Sequence, residues 1–171
     1  MTVDFAEQSA QQLTAHFSRH AWKALSFPST LYLQPILDIL LEPVPVGDRM
    51  AVQLGLQEAL VNAAKHGNGL DPEKSISIRY AKTSRELCWI ISDQGQGFTP
   101  PRLPCQGWSD GIPCESEECG RGLFILYQVF DQVHWNNNGT QLALYKRHAP
   151  THRRLALAFR PPFFRTLTPD L

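Results

Sequence analysis

The stretch Glu86–Gly97, ELCWIISDQGQG, runs from an apolar segment straight into a carboxylate and two glycines. Its first seven residues, Glu86 to Ser92, read as a strand bearing aromatic and β-branched side chains. A carboxylate at a strand end, followed by Gly95 and Gly97, lets the backbone approach a flat ligand, because glycine has no side chain to hold the ligand off. Taken alone, Asp93-Gln-Gly-Gln-Gly97 is a turn; its neighbours along the chain give it meaning.

Upstream, Ile76, Ile78 and Tyr80 alternate as a second strand, joined to the first by a hairpin near Thr83-Ser84. Before it, Met50, Leu54, Leu56, Ala59, Leu60 and Ala63 recur at helical spacing as far as His66, where Gly67-Asn68-Gly69 ends the helix. Pro43, Pro45 and Gly47 form a linker ahead of that helix. Trp22 to Phe27 alternates as a half-buried strand, Pro28-Ser29-Thr30 supplies a stop and an N-cap, and a helix is expected over 31–41. Downstream, Phe98 to Cys119 is too long for a mere connection and reads as a lid or binding loop. A helix opening at Gly120-Arg-Gly122 and running to about Phe130 follows, then a strand Gln132–Trp135, a turn Asn136–Gly139 and a strand Thr140–Lys146. The order mixes α and β, without internal repeats.

Composition sets the frame. A chain of 171 residues accommodates one main domain, and 16 basic against 16 acidic residues give no electrostatic case for nucleic-acid binding. The longest apolar stretch, 31–41, is broken by Gln34, Pro35 and Asp38, well short of the roughly 20 apolar residues of a membrane span. The first residues have neither a basic nor an apolar signal region, so a cytoplasmic location is expected. Cys88 lies in the strand-like run, whereas Cys105, Cys114 and Cys119 lack paired C-x-x-C elements and read as reduced thiols rather than a zinc site. The chain divides into a leader 1–19, a domain 20–147 with the loop 98–119 inside it, and a basic tail 148–171. In the leader, Phe5, Leu13 and Phe17 permit an amphipathic helix or a loose arm; the tail reads as Leu155, Leu157 and Phe159 packing back on the sheet, with a partner- or lipid-contacting segment as the alternative.

Glu58 and Asn62 stand four residues apart on the long helix and so share a face, which His66 continues. Isolated, this is a solvated stripe. Gly120-Arg121-Gly122, opening a helix after a long loop, offers backbone N–H groups and the positive end of a helix dipole, which suit an oligophosphate.

In order and with these separations, E-x-x-x-N-A-A-K-H-G-N, D-x-G-x-G-F, G-R-G-L-F-I and G-T-Q-L resemble the GHKL or Bergerat-fold ATPases. Within that superfamily the chain is similar to the small anti-sigma-factor serine/threonine kinases of the RsbW and SpoIIAB type, over about residues 20 to 147. The resemblance implies a two-layer α/β (α+β) sandwich, a mixed, mostly antiparallel sheet covered on one face by helices, with ATP between the helices and the long loop. It implies that Asn62 holds Mg²⁺, that Asp93 accepts the adenine amino proton, that Gly95 and Gly97 border the base, and that Thr140 supports the adenine side. Gly120 and Gly122 would donate N–H groups to the phosphates, Arg121 would neutralise transferred charge, and Glu58 would act as general base or orienter for the attacking hydroxyl. His66 and Asn68 are second-rank candidates near the nucleotide.

The expected activity is ATP- and Mg²⁺-dependent phosphorylation of a Ser or Thr on a STAS-domain anti-sigma-factor antagonist, with sequestration of a sigma factor as a further role and a homodimer as the implied assembly. A sensor histidine kinase is disfavoured, because a two-helix segment bearing a phosphoacceptor His has no room upstream of Trp22. The rival reading is a nucleotide-dependent protein-binding module that moves no phosphate; the presence of Glu58 counts against it, since binding needs no base there.

Overall fold

A computed structural model of the chain describes residues 17, 21–99, 121–136 and 138–148, with the side chain of Arg121 excepted. Its elements are β1 (Lys23–Pro28), α1 (Gln34–Leu41), a 3₁₀ turn (Val46–Asp48), α2 (Arg49–Val61), a π-helical turn (Asn62–Gly67), β2 (Ser75–Lys82), β3 (Glu86–Ser92), α3 (Arg121–Val129), β4 (Gln132–Trp135) and β5 (Gln141–Arg147). The strands form one sheet in the order β1-β2-β3-β5-β4.

Every pairing among these strands is antiparallel, so the mixed, mostly antiparallel sheet implied above is antiparallel throughout its described strands. The connectivity explains this. After β3 the chain crosses through α3 and returns as the edge strand β4, and β5 then turns back to lie between β3 and β4, so β3 and β4, which point the same way, never touch.

The register sorts side chains onto two faces. Tyr80, Trp89, Leu144 and Val133 form one cross-strand row, and with Ile76, Ile78, Leu87, Ile91, Leu142 and Trp135 they make the face on which the helices pack. Helix α1 contributes Leu37, Leu40 and Leu41; α2 contributes Val52, Leu56, Ala59 and Leu60; α3 contributes Leu126 and Val129. The face of α2 that is buried runs 52–56–59–60 and continues to Ala63 in the π turn. Met50 and Leu54, placed in the apolar pattern by the sequence, are 87% and 47% exposed. They lie about two residues out of phase with Val52 and Leu56, which at 3.6 residues per turn carries them to the opposite side of the helix. Gly55 lets α2 and the end of α3 approach, since a Cβ there would stand 2.6 Å from the Phe130 ring.

The opposite face is smaller and is closed by Phe17, which is buried on Ala81, Cys88, Ile90, Ala143 and Tyr145. Its ring lies 5.9 Å from Trp22 and 6.2 Å from Tyr145. One residue of the leader is thus tied to the sheet; the rest of the leader's amphipathic pattern, Cys105, Cys114 and Cys119 with most of the 98–119 loop, and the tail beyond His148 lie outside the described residues.

The start of α1 corrects the expected cap. The helix begins at Gln34 with Pro35 in its first turn and Leu33 at the cap, and no side chain caps it. Thr30 Oγ1 accepts instead from the Tyr32 N–H at 3.1 Å, while Ser29 turns inward. Among the described residues no helix is long and apolar enough to cross a membrane.

Candidate functional site

The C-terminal end of α2 continues into the π turn, and this junction builds one wall of a cavity of about 300 Å³. Asn62, His66 and Gly67 line it from that side; Ile91 and Asp93 come from the end of β3, Gly97 and Phe98 from the loop after it, Gly122 and Leu123 from the start of α3, and Trp135 and Leu142 from β4 and β5. The volume falls at the lower end of the range for small-molecule sites, and the lining is mostly apolar with a few convergent polar groups. Phe98 packs edge-on against Trp135 with centroids 6.0 Å apart, so the first residue of the long loop is part of an aromatic wall.

Asp93 is held by its surroundings. Its backbone N–H donates to the Thr140 carbonyl at 3.1 Å, and its Oδ1 accepts from the Gly95 N–H at 2.9 Å. Burial pushes the Asp93 carboxyl above the usual carboxylate range, opposed by hydrogen bonds from the Gly95 and Asp93 N–H groups and by the Lys74 charge. Gly67 is the counterpart of Asp93: a Cβ on Gly67 would collide with the Asp93 carboxyl group. The sequence motif Gly67-Asn68-Gly69, read as a helix stop, therefore has three separate reasons. Gly67 makes room for Asp93; Asn68 is buried and accepts from the Gln94 N–H at 2.7 Å while donating to the Ser75 carbonyl at 3.1 Å; Gly69 takes φ +67. Asn68, a second-rank ligand candidate above, is the clamp between the π turn and the Asp93 loop.

Gly97, at φ +74, adopts a backbone conformation that L side chains avoid, and a Cβ there would run into the Asn138 carbonyl. That clash is the close approach of the Asp93 loop to the β4–β5 turn. Thr140 belongs to this turn: its N–H donates to Asn136 Oδ1 at 3.0 Å, and its hydroxyl receives the Asn136 amide at 3.2 Å.

At the other end of the cavity Gly122 faces Glu58 and Asn62. A Cβ on Gly122 would stand 3.0 Å from Glu58 Oε2 and 3.5 Å from Asn62 Nδ2. The start of α3 thus opposes a carboxylate and an amide across a gap that a methyl group would enter.

Of the residues singled out in the sequence, Asn62, His66, Asp93, Gly97 and Gly122 line one cavity. Glu58 borders it across Gly122, Gly95 packs on the Gly67 carbonyl, and Thr140 stands behind the rim at Gly97. Gly120 lies outside the described residues, and of Arg121 only the backbone, the first residue of α3, is described. Gly67, Phe98, Trp135 and Leu142 were not among the candidates. Three of these four are apolar, and in one dimension nothing separates an apolar residue that lines a cavity from one that fills the core; Gly67 was hidden by its plausible role as a helix stop.

The donors suit a nucleotide with a hard cation. Among the described residues, apolar side chains flank one carboxylate, Asp93, at one end, as suits a base with an exocyclic amine. At the other end glycine opens the first turn of a helix, where backbone N–H groups and the dipole favour phosphate, and the Asn62 amide oxygen is a hard ligand suited to Mg²⁺.

Residues 36–146 match the family model described as the histidine kinase-like ATPase domain. No curated protein matches the chain at a significant level.

Proposed function

Because the chain belongs to the histidine kinase-like ATPase domain family, which implies ATP binding, we propose that it is an ATP-dependent protein serine/threonine kinase acting on a STAS-domain anti-sigma-factor antagonist. The observation that carries this reading is Glu58: its carboxylate stands at the edge of the site, opposite the first turn of α3 and one helical turn from Asn62. A module that only bound nucleotide would gain nothing from an acid beside the phosphate end, where like charges repel.

When bound, ATP supplies the γ-phosphoryl group and Mg²⁺ neutralises charge on it. The rest is done by residues of the chain. Asp93 accepts a hydrogen bond from the adenine amine, most strongly as the ionised carboxylate, while Ile91, Leu142, Phe98 and Trp135 exclude water from the base. Gly122 leaves the N-terminal turn of α3 open to the phosphates. Asn62 supplies an amide oxygen for the metal. Glu58 accepts the proton of the attacking Ser or Thr hydroxyl.

The same site serves the binding-module reading if Glu58 is not a base. The deciding experiment is transfer of γ-labelled phosphate from ATP and Mg²⁺ to STAS-domain proteins of the same organism, with Glu58→Ala and Asn62→Ala beside the wild type. Labelling on Ser or Thr that both variants lose supports the kinase; tight ATP binding with no transfer to any of them supports the module. Co-purification of a sigma factor, and the mass of the complex in solution, test the sequestration and homodimer parts of the proposal.

A further inference from the structure

The π turn is held open from outside the helix. In a continuing α-helix the Asn68 N–H would reach back four residues to the Ala64 carbonyl. Here it bonds instead to the Ala63 carbonyl at 2.8 Å. The Ala64 carbonyl is already saturated: the Leu70 N–H donates to it at 2.8 Å and the Ser29 hydroxyl at 3.2 Å, which uses both of its lone pairs. Ser29 is 7% exposed and is itself fixed by its backbone N–H, which donates to the Lys74 carbonyl at 2.8 Å.

We propose that Ser29, the residue just after β1, is a positioning residue for the metal end of the nucleotide site, because its hydroxyl saturates the Ala64 carbonyl and so holds the π turn that carries Asn62, His66 and Gly67. The inference deepens the nucleotide reading above and rests on it for the role of Asn62. Its physical basis is local. Removing the hydroxyl frees one lone pair on Ala64, the Asn68 N–H slips to it, and the extra residue of the turn has nowhere to go but into the cavity wall. Such single π turns recur where a helix must present side chains to a site, and the one here lies wholly within the segment that lines the cavity. Asn68 moves with the turn and carries the Gln94 contact with it, so the Asp93 loop is coupled to the same hydroxyl.

The test pairs Ser29→Ala with Ser29→Thr, which keeps the hydroxyl. Nucleotide-free crystal structures of both are solved, and ADP affinity is measured by calorimetry with Mg²⁺ and with EDTA. In Ser29→Ala the Asn68 N–H is expected to bond to the Ala64 carbonyl, and the gain in ADP affinity on adding Mg²⁺ to fall about fivefold, the equivalent of one ordinary hydrogen bond. Adenosine affinity, which reads the Asp93 end, is expected to fall less, and Ser29→Thr to restore both the π turn and the Mg²⁺ response. Should Ser29→Ala fold poorly, Ser29→Cys, whose thiol is only a weak donor, carries the same expectation. A π turn that persists in Ser29→Ala, or a Mg²⁺ response equal to wild type, overturns the positioning role alone. A wild-type protein whose ADP affinity ignores Mg²⁺ overturns the metal role of Asn62, and with it this inference.

Discussion

Gly122→Ala separates what the residue does for the fold from what it does for the site. Gly122 is the second residue of α3, and its φ lies outside the left-handed region, so alanine fits the backbone. Replacing glycine there restricts the unfolded chain and stabilises the protein by about 0.4–1 kcal/mol. For a chain of this size that is a rise in Tm of about 1–4 °C. The new methyl meets Glu58 Oε2 at 3.0 Å, but this is the far end of a flexible side chain, which can turn away at little cost. The same methyl occupies the gap between the start of α3, Glu58 and Asn62, where the reading puts the phosphates. Loss of one charge-assisted hydrogen bond there costs about 1.5–3 kcal/mol, so ADP affinity should fall roughly tenfold to hundredfold. Adenosine, which has no phosphates, should bind as to wild type. Thermal denaturation and calorimetry with the two ligands measure all three quantities. A variant that is more stable yet binds ADP within twofold of wild type would refute the assignment of the phosphates to the start of α3.

Gly97→Ala should differ from Gly122→Ala in kind: φ +74 and the Asn138 carbonyl leave no room, so it is expected to lose about 1–2 kcal/mol of stability from the backbone conformation alone, with nucleotide affinity falling as well, measurable by urea denaturation and calorimetry. Asn68→Ala strands the Gln94 N–H and the Ser75 carbonyl, costing about 2–4 kcal/mol in the same denaturation assay. Because burial raises the Asp93 pKa, its ionised form costs the folded protein stability above the folded pKa, and that cost is relieved as pH falls through it. Asp93→Asn should therefore raise the stability of the nucleotide-free protein at neutral pH while weakening ATP binding, and should abolish the acid limb of the wild-type affinity profile, which is expected above the ordinary aspartate range. Burial pushes the Cys88 thiol from 9.0 to about 12, against a smaller lowering by Arg79. The unfolded thiol ionises first, so stability is unaffected below pH 9 and declines above it. By pH 10 the loss reaches about 1.4 kcal/mol, which Cys88→Ala should remove from the pH dependence of urea denaturation.

The sequence by itself determined the order and nature of the elements. Strand alternation over 76–80 and 86–92, helical spacing over 50–66 and the glycines at 95, 97 and 122 depend on local backbone geometry, and local geometry is written in consecutive residues. Four ordered motifs also pointed to the family that residues 36–146 match. Tertiary structure decided what no local rule contains. The position of β5 between β3 and β4 makes the sheet antiparallel throughout, and pairing partners fifty residues apart leave no mark on the chain between them. Met50 and Leu54 looked like core until the neighbouring elements showed which side of α2 is covered. Ser29 looked like the start of a helix cap, yet its hydroxyl reaches 35 residues along the chain to Ala64. Gly67 looked like a helix stop, yet it makes room for Asp93. In each case the residue's partner is distant in sequence, and the physical reason for its identity exists only once the fold has brought that partner within hydrogen-bond or van der Waals reach.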